Sequence, residues 1–167
     1  MGIASDPSQF GELTSARAVR EILGRFGFRP QRRYGQNFLV DPNIMAKIVA
    51  AAELRPGADW VLEVGAGIGA LTLALAAGGA LVTAVEIDRG LFALVQGLAA
   101  ERGEGKIRVV HADALRVDWR SLWLEAGSSL RPKGVSNLPY YITAPLVLRH
   151  LSGEVPFERT VFLVQRE

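Results

Sequence analysis

The 167-residue chain contains no cysteine. That excludes disulfides, thiolate metal sites and cysteine nucleophiles, and it fits a reducing compartment, the cytoplasm. Histidine is nearly as scarce. His111 and His150 stand far apart, and without cysteine they build no metal site, so they are read as ordinary loop and helix positions. Charge is missing from Val64 to Val85, a run long enough to suggest a membrane span. Glycines argue against one: Gly65, Gly67 and Gly69 cluster near its start and Gly78-Gly79 mark a turn, dividing the run into strand, loop, helix, turn and strand. No apolar stretch opens the chain, because Asp6, Pro7 and Ser8 interrupt it, so no signal peptide is expected. Met1-Gly2 is not a lipidation signal either, since Asp6 stands where serine or threonine is required.

What is present suffices for one domain with a sizeable core, at 49% hydrophobic residues. The net charge is only +2, but its placement is uneven. Arg17, Arg20, Arg25, Arg29, Arg32 and Arg33 face a single acid, Glu21, within one short stretch, a local excess that suits a polyanion as well as a solvated surface.

Thr14 or Ser15 caps a first helix running to about Arg25, with Val19, Ile22, Leu23 and Phe26 as its apolar stripe, and Gly27 stops it. Asp41-Pro42 reads as N-cap and first turn of a second helix to about Glu53, closed off by Pro56-Gly57. Short apolar strands follow at Trp60–Val64, Leu81–Val85, Ile107–Val110, Gly134–Ser136 and Thr160–Val164. Helical stretches near Ala70–Ala77, Arg89–Glu101, Trp119–Ala126 and Thr143–Leu151 alternate with them, Asp88 and Thr143 being the expected N-caps. Trp60, Trp119 and Trp123 read as packing residues. Strand–helix alternation of this kind predicts an α/β fold, a doubly wound parallel sheet, with a helical and basic extension in front.

The chemistry-bearing signals lie at strand ends, where ligands of open parallel sheets bind. Glu63-Val64-Gly65-Ala66-Gly67-Ile68-Gly69 turns the first strand into a helix, its glycines letting a nucleotide-like molecule lie against the main chain. Glycine at alternate positions is neither the G-x-G-x-x-G of a dinucleotide fold nor a P-loop, which disfavours nicotinamide chemistry and ATP hydrolysis. Glu86, at the tip of the second strand, suits a carboxylate gripping both hydroxyls of a ribose; Asp88 reads as a helix cap instead. Asp113, after the third strand, is positioned to accept from an adenine amino group. Ser136-Asn137-Leu138-Pro139-Tyr140 ends the fourth strand. There the Asn137 side-chain oxygen and the Leu138 carbonyl can accept from an exocyclic amine, Pro139 fixes the backbone and Tyr140 offers a stacking face, with no metal required.

Taken with Gly35-Gln36-Asn37-Phe38-Leu39-Val40-Asp41, these motifs, in this order, resemble the ribosomal RNA adenine dimethyltransferases. The resemblance implies a class I, Rossmann-like methyltransferase fold with S-adenosylmethionine as cofactor and S-adenosylhomocysteine as its product. It implies that Gln36, Asn37 and Leu39 close over the methionine end, that Gly65, Gly67, Gly69 and Glu86 hold the middle, that Asp113 meets the adenine and that Asn137 touches both substrates. The implied reaction dimethylates two adjacent adenosines near the 3′ end of small-subunit rRNA, and leucine after Asn137 favours this branch over the large-subunit enzymes of antibiotic resistance. Small-subunit rRNA or the immature subunit is the expected partner, with no DNA, no membrane and a monomeric chain.

Two further readings stand beside it: a non-catalytic RNA-binding assembly factor on the same fold, and a nicotinamide oxidoreductase, for which no hydride-handling residue is visible. The expected division is residues 1–33 as the extension and residues 34–167 as the cofactor-binding domain. Family members continue into further strands and a helical RNA-gripping domain, whereas only three residues follow Val164, so a truncated chain is expected. The 167-residue form should therefore bind the cofactor but methylate assembled small subunits more slowly than a longer form, as measured by transfer of labelled methyl groups.

Overall fold

The computed structural model describes residues 13, 15–28, 38–138 and 142–164. Eleven elements follow one another among these: α1 (Ala16–Arg25), α2 (Pro42–Ala52), β1 (Asp59–Val64), α3 (Ala70–Ala77), β2 (Leu81–Glu86), α4 (Arg89–Arg102), β3 (Ile107–His111), α5 (Trp119–Gly127), β4 (Arg131–Asn137), α6 (Thr143–Leu151) and β5 (Arg159–Leu163). The strands form one sheet in the order β3-β2-β1-β4-β5, every pair parallel. The order reverses between β1 and β4, and at such a switch point the loops leaving two neighbouring strands part to opposite sides and open a crevice.

β1 is buried along its whole length, so its side chains feed cores on both faces of the sheet. Val61 joins one core, with Met45 and Ile48 of α2, Leu71 and Leu75 of α3 and Leu91, Leu94 and Leu98 of α4. Leu13, Val19 and Leu23 belong to this same core, which α1 therefore shares with the sheet. Trp60, Leu62 and Val64 point the other way, to Trp119 and Leu122 of α5 and Leu146 of α6. Both fully buried tryptophans have partners for their N–H groups: Trp60 donates to Thr83 Oγ1 at 2.9 Å and Trp119 to the Ala114 carbonyl at 3.1 Å.

The caps show local sequence at work. Ser15 accepts from Ala18 N–H, Asp41 from Asn43 and Ile44, and Asp88 from Gly90 and Leu91, as a short polar side chain does when it satisfies the open N–H groups of a first turn. Thr143 departs from the expectation. Ile142 occupies the N-cap and, among the described residues, makes no side-chain cap, because Thr143 is already the first helical residue, one place past the capping position. β4 is also longer than expected, starting at Arg131, and β5 stops at Leu163.

The extra length of β4 has a physical cause that its polar letters hide. Lys133 is 3% exposed, its ammonium 3.0 Å from the wholly buried Asp59 carboxylate and 2.7 and 2.5 Å from the carbonyl oxygens of Ala52 and Glu53 at the end of α2. Asp59 also accepts from Arg131 Nε at 3.0 Å and from the Arg55 N–H at 2.7 Å. One buried cluster thus fixes the start of β1, the start of β4 and the C-terminal carbonyls of α2. Replacing Lys133 with alanine leaves these acceptors short of a donor, and Lys133→Ala should lower the unfolding free energy by about 3 kcal/mol, read from urea melts.

Candidate active site

Apart from Leu39, which precedes α2, the described site candidates stand at the carboxyl ends of the strands. The β1–α3 turn folds as it does because Gly65, Gly67 and Gly69 all take positive φ, 78°, 58° and 81°, a region that L side chains rarely adopt. Space is tight at Gly69 as well, where a Cβ would lie 3.3 Å from Val95, while one on Gly67 would sit in ordinary contact, 3.5 Å from the Phe38 ring. Phe38, in the described end of the Gly35 to Asp41 motif, meets the glycine turn at Gly67, and Leu39 packs against the core.

Glu86 ties the turn to the next helix. Its Oε2 accepts from Gly67 N–H and its Oε1 from Asp88 N–H, both at 2.9 Å. Burial holds its pKa above the ordinary carboxylate range, the Asp88 and Gly67 N–H groups oppose that shift, and the Asp88 charge adds to it. Each oxygen keeps a lone pair beyond these bonds, so the carboxylate can still accept from neighbouring hydroxyls.

Ser136, fully buried, takes Val64 N–H on its hydroxyl at 2.9 Å, two residues past the last β1–β4 backbone pairing. On the other side Leu138 N–H donates to the Leu163 carbonyl at 3.0 Å. Half-buried Asn137 is thereby held at the switch point, between the glycine turn and β5. Asp113 sits in the loop after β3, where its Oδ1 accepts from Leu115 N–H at 2.9 Å and Arg116 lies 3.5 Å from Oδ2. Gln36, Asn37, Pro139 and Tyr140 lie outside the described residues.

The chain matches the family model described as ribosomal RNA adenine dimethylase over residues 27–167. It belongs to the ribosomal RNA adenine dimethylase family. A ribosomal RNA small subunit methyltransferase A of Pelotomaculum thermopropionicum is 44% identical over 162 residues, covering 93% of this chain and 54% of that protein. Among solved structures, a dimethyladenosine transferase from Plasmodium falciparum superposes with a TM-score of 0.60 at 27% identity, over 73% of this chain and 42% of that one. The 23S rRNA methyltransferase ErmE gives 0.58 at 35% identity, over 70% and 43%. The chain spans about half the length of the curated relatives it matches. Its sheet is that of the class I methyltransferases.

Several residues of this family member escaped sequence reasoning. The loop carrying Asp113 is clasped by Arg149, which donates to the carbonyls of Ala114 and Val117, both at 2.6 Å, and pairs with Glu154 at 2.8 Å. Its guanidinium lies 4.3 Å from the Trp119 ring centroid. No local pattern announces this contact, because Arg149 sits more than 30 residues along the chain. Ile87 and Leu115, next to Glu86 and Asp113, are 46% and 39% exposed and form apolar surface at the rim. His111, expected in a loop, is the last residue of β3; its ring reaches the Ile87 carbonyl at 3.1 Å and stacks on Phe92. His150 is only half satisfied among the described residues: Nδ1 lies 2.8 Å from the Leu146 carbonyl, while Nε2, beside Gly134, finds no partner there, and burial keeps the ring's pKa low.

Glu63 is the least expected. It is 1% exposed, and among the described residues its Oε2 has no hydrogen-bond partner and Thr72 Oγ1 is buried without a bond of normal geometry. Burial pushes its pKa up to about 8, the Thr72 hydroxyl pulls it down and the Glu86 charge pushes it up again. The folded state therefore binds a proton that the unfolded state releases above the ordinary value of 4.5, and stability falls as pH rises from there through about 8. Glu63→Gln should melt with the wild type near pH 5 and about 5 °C above it near pH 8.5, in calorimetric scans at both pH values.

Proposed function

We propose that this chain is the catalytic domain of an S-adenosylmethionine-dependent enzyme that dimethylates the exocyclic amines of two adjacent adenosines near the 3′ end of small-subunit rRNA. Family membership supports the adenine and the rRNA. The observation that carries the chemistry is the Ser136–Val64 bond, which sets Asn137 next to the glycine turn at the switch point of the sheet.

The residues present fit the cofactor. Three glycines in left-handed geometry clear the space over the β1–α3 turn, Glu86 offers lone pairs to a ribose, and Ile87 and Leu115 offer apolar surface to a flat base, with Asp113 beside them to accept from its amino group. By resemblance, Gln36, Asn37 and Leu39 cover the methionine end. When bound, S-adenosylmethionine supplies an electrophilic methyl group on a sulfonium.

The protein's own task is then to aim a nitrogen lone pair. The Asn137 side-chain oxygen and the Leu138 carbonyl accept the two N–H bonds of the target amine, which turns its lone pair out of conjugation with the ring and toward the methyl. Tyr140 stacks on the base that has left its helix, and Pro139 fixes the direction of the backbone that carries it. Buried Ser136 keeps the amide from drifting, so the alignment is built before the substrates arrive. No step calls for a metal.

The proposed partner is the immature small subunit, met by a monomeric chain in the cytoplasm. The ErmE likeness favours a second reading, methylation of large-subunit rRNA. Labelled S-adenosylmethionine, offered with immature small subunits and with 23S rRNA, separates the two when the labelled adenosines are mapped. Asn137→Ala should cut transfer at least about 100-fold while S-adenosylhomocysteine still binds. Transfer by the variant at the wild-type rate would remove Asn137 from its role, and a wild type that associates with subunits without transferring label would leave an assembly factor.

A further inference from the structure

α1 and the residues just after it meet α4 through two aromatic rings that rest on two glycines. A Cβ on Gly97 would lie 3.0 Å from the Phe26 ring, and one on Gly90 only 2.7 Å from Phe28 Cδ2. Arg25, paired with Glu101, extends the same interface toward the end of α4. The two seats look alike but adjoin different things. Gly97 is mid-helix, with helical turns on either side.

Gly90 is the second residue of α4, in the turn that carries the site. Its N–H donates to Asp88 Oδ1 at 2.8 Å, Asp88 N–H donates to Glu86 Oε1 at 2.9 Å, and Glu86 Oε2 receives Gly67 N–H at 2.9 Å. Contacts therefore run without a break from the Phe28 ring to Gly90, Asp88, Glu86 and the glycine turn, where Phe38 rests on Gly67. First turns of helices fray when little holds them from outside. Here the outside support is an aromatic ring at van der Waals distance from a residue without a side chain.

We propose that Phe28 is a positioning residue for the cofactor: seated on Gly90, it steadies the first turn of α4 and, through Asp88, the Glu86 carboxylate. The segment just past α1 thereby sets cofactor affinity from a distance. The coupling rests on the reading of Glu86 as the ribose acceptor. It is a matter of preorganisation, because a carboxylate already held in place loses less freedom when its ligand arrives.

Phe26 supplies the internal control, since it packs on the same helix from the same direction but joins no bond that leads to Glu86. Calorimetric titration of the 167-residue chain with S-adenosylhomocysteine, alongside melting temperatures, reads the difference. Phe28→Ala should weaken binding about tenfold, and Phe28→Leu should bring it back to within about threefold of wild type. Phe26→Ala should lower the melting temperature comparably yet leave the dissociation constant within about twofold. Gly90→Ala tests the same link from the other side: its methyl would meet the Phe28 ring at 2.7 Å and Asp88 Oδ1 at 3.2 Å, so affinity should fall. Equal affinities for wild type and Phe28→Ala, or equal losses for the Phe28 and Phe26 variants, overturn the coupling. If Phe28→Ala does not fold, unchanged affinity in Gly90→Ala overturns it just as well. A folded wild type that gives no heat with S-adenosylhomocysteine overturns the ribose reading itself, and the coupling with it.

Discussion

A carboxylate buried at the tip of β2 organises the upper rim of the molecule. Glu86 accepts one N–H from the glycine turn after β1 and one from the start of α4, so two loops that leave neighbouring strands are fastened to a single group. Without that acceptor, both N–H groups would face a crevice with no partner, and a buried unpaired amide costs about 1–3 kcal/mol. The same group that would hold a ribose is thus already part of the frame. Its position depends on β2 lying beside β1, a parallel pairing whose register sets Glu63 opposite Ala84 and Val64 opposite Val85.

The two acids of β1 show how differently a fold treats a buried carboxyl. Asp59, at the lower end, is surrounded by Lys133, Arg131 and the Arg55 N–H, so its burial is matched by opposite charge and hydrogen bonds. Glu63, at the upper end, has no cation near it among the described residues and a like charge beside it, and burial pushes its pKa up to about 8. Charge pairing at one end secures the scaffold. At the other end, a neutral buried acid under the glycine turn adds no further negative charge to the pair that Glu86 and Asp88 already make at the rim.

Much of the fold was legible because it obeys local rules. The N-caps Asp41 and Asp88, the strands centred on Trp60–Val64 and Leu81–Val85 and the turn at Gly65 to Gly69 all follow from periodicity and from residues with one strong conformational habit. Glu86 and Asn137 could be singled out because a motif places each at a strand end. Elements whose identity depends on a distant partner were harder. Arg131 to Lys133 does not look like a buried strand until Asp59 is set beside it, and Thr143 looks like a cap until the helix is seen to begin at Thr143 itself.

The amino-acid order by itself determined the alternation of strands and helices, the glycine turn and the family, since each is written in neighbouring residues. Tertiary structure alone decided which distant groups share a site: Ser136 against Val64, Arg149 around the Asp113 loop, Phe28 on Gly90, and the protonation of Glu63. The reason is physical. Burial and hydrogen bonding at each of these points depend on groups tens of residues away, and no local pattern encodes a dielectric environment or a partner that only the folded sheet brings near.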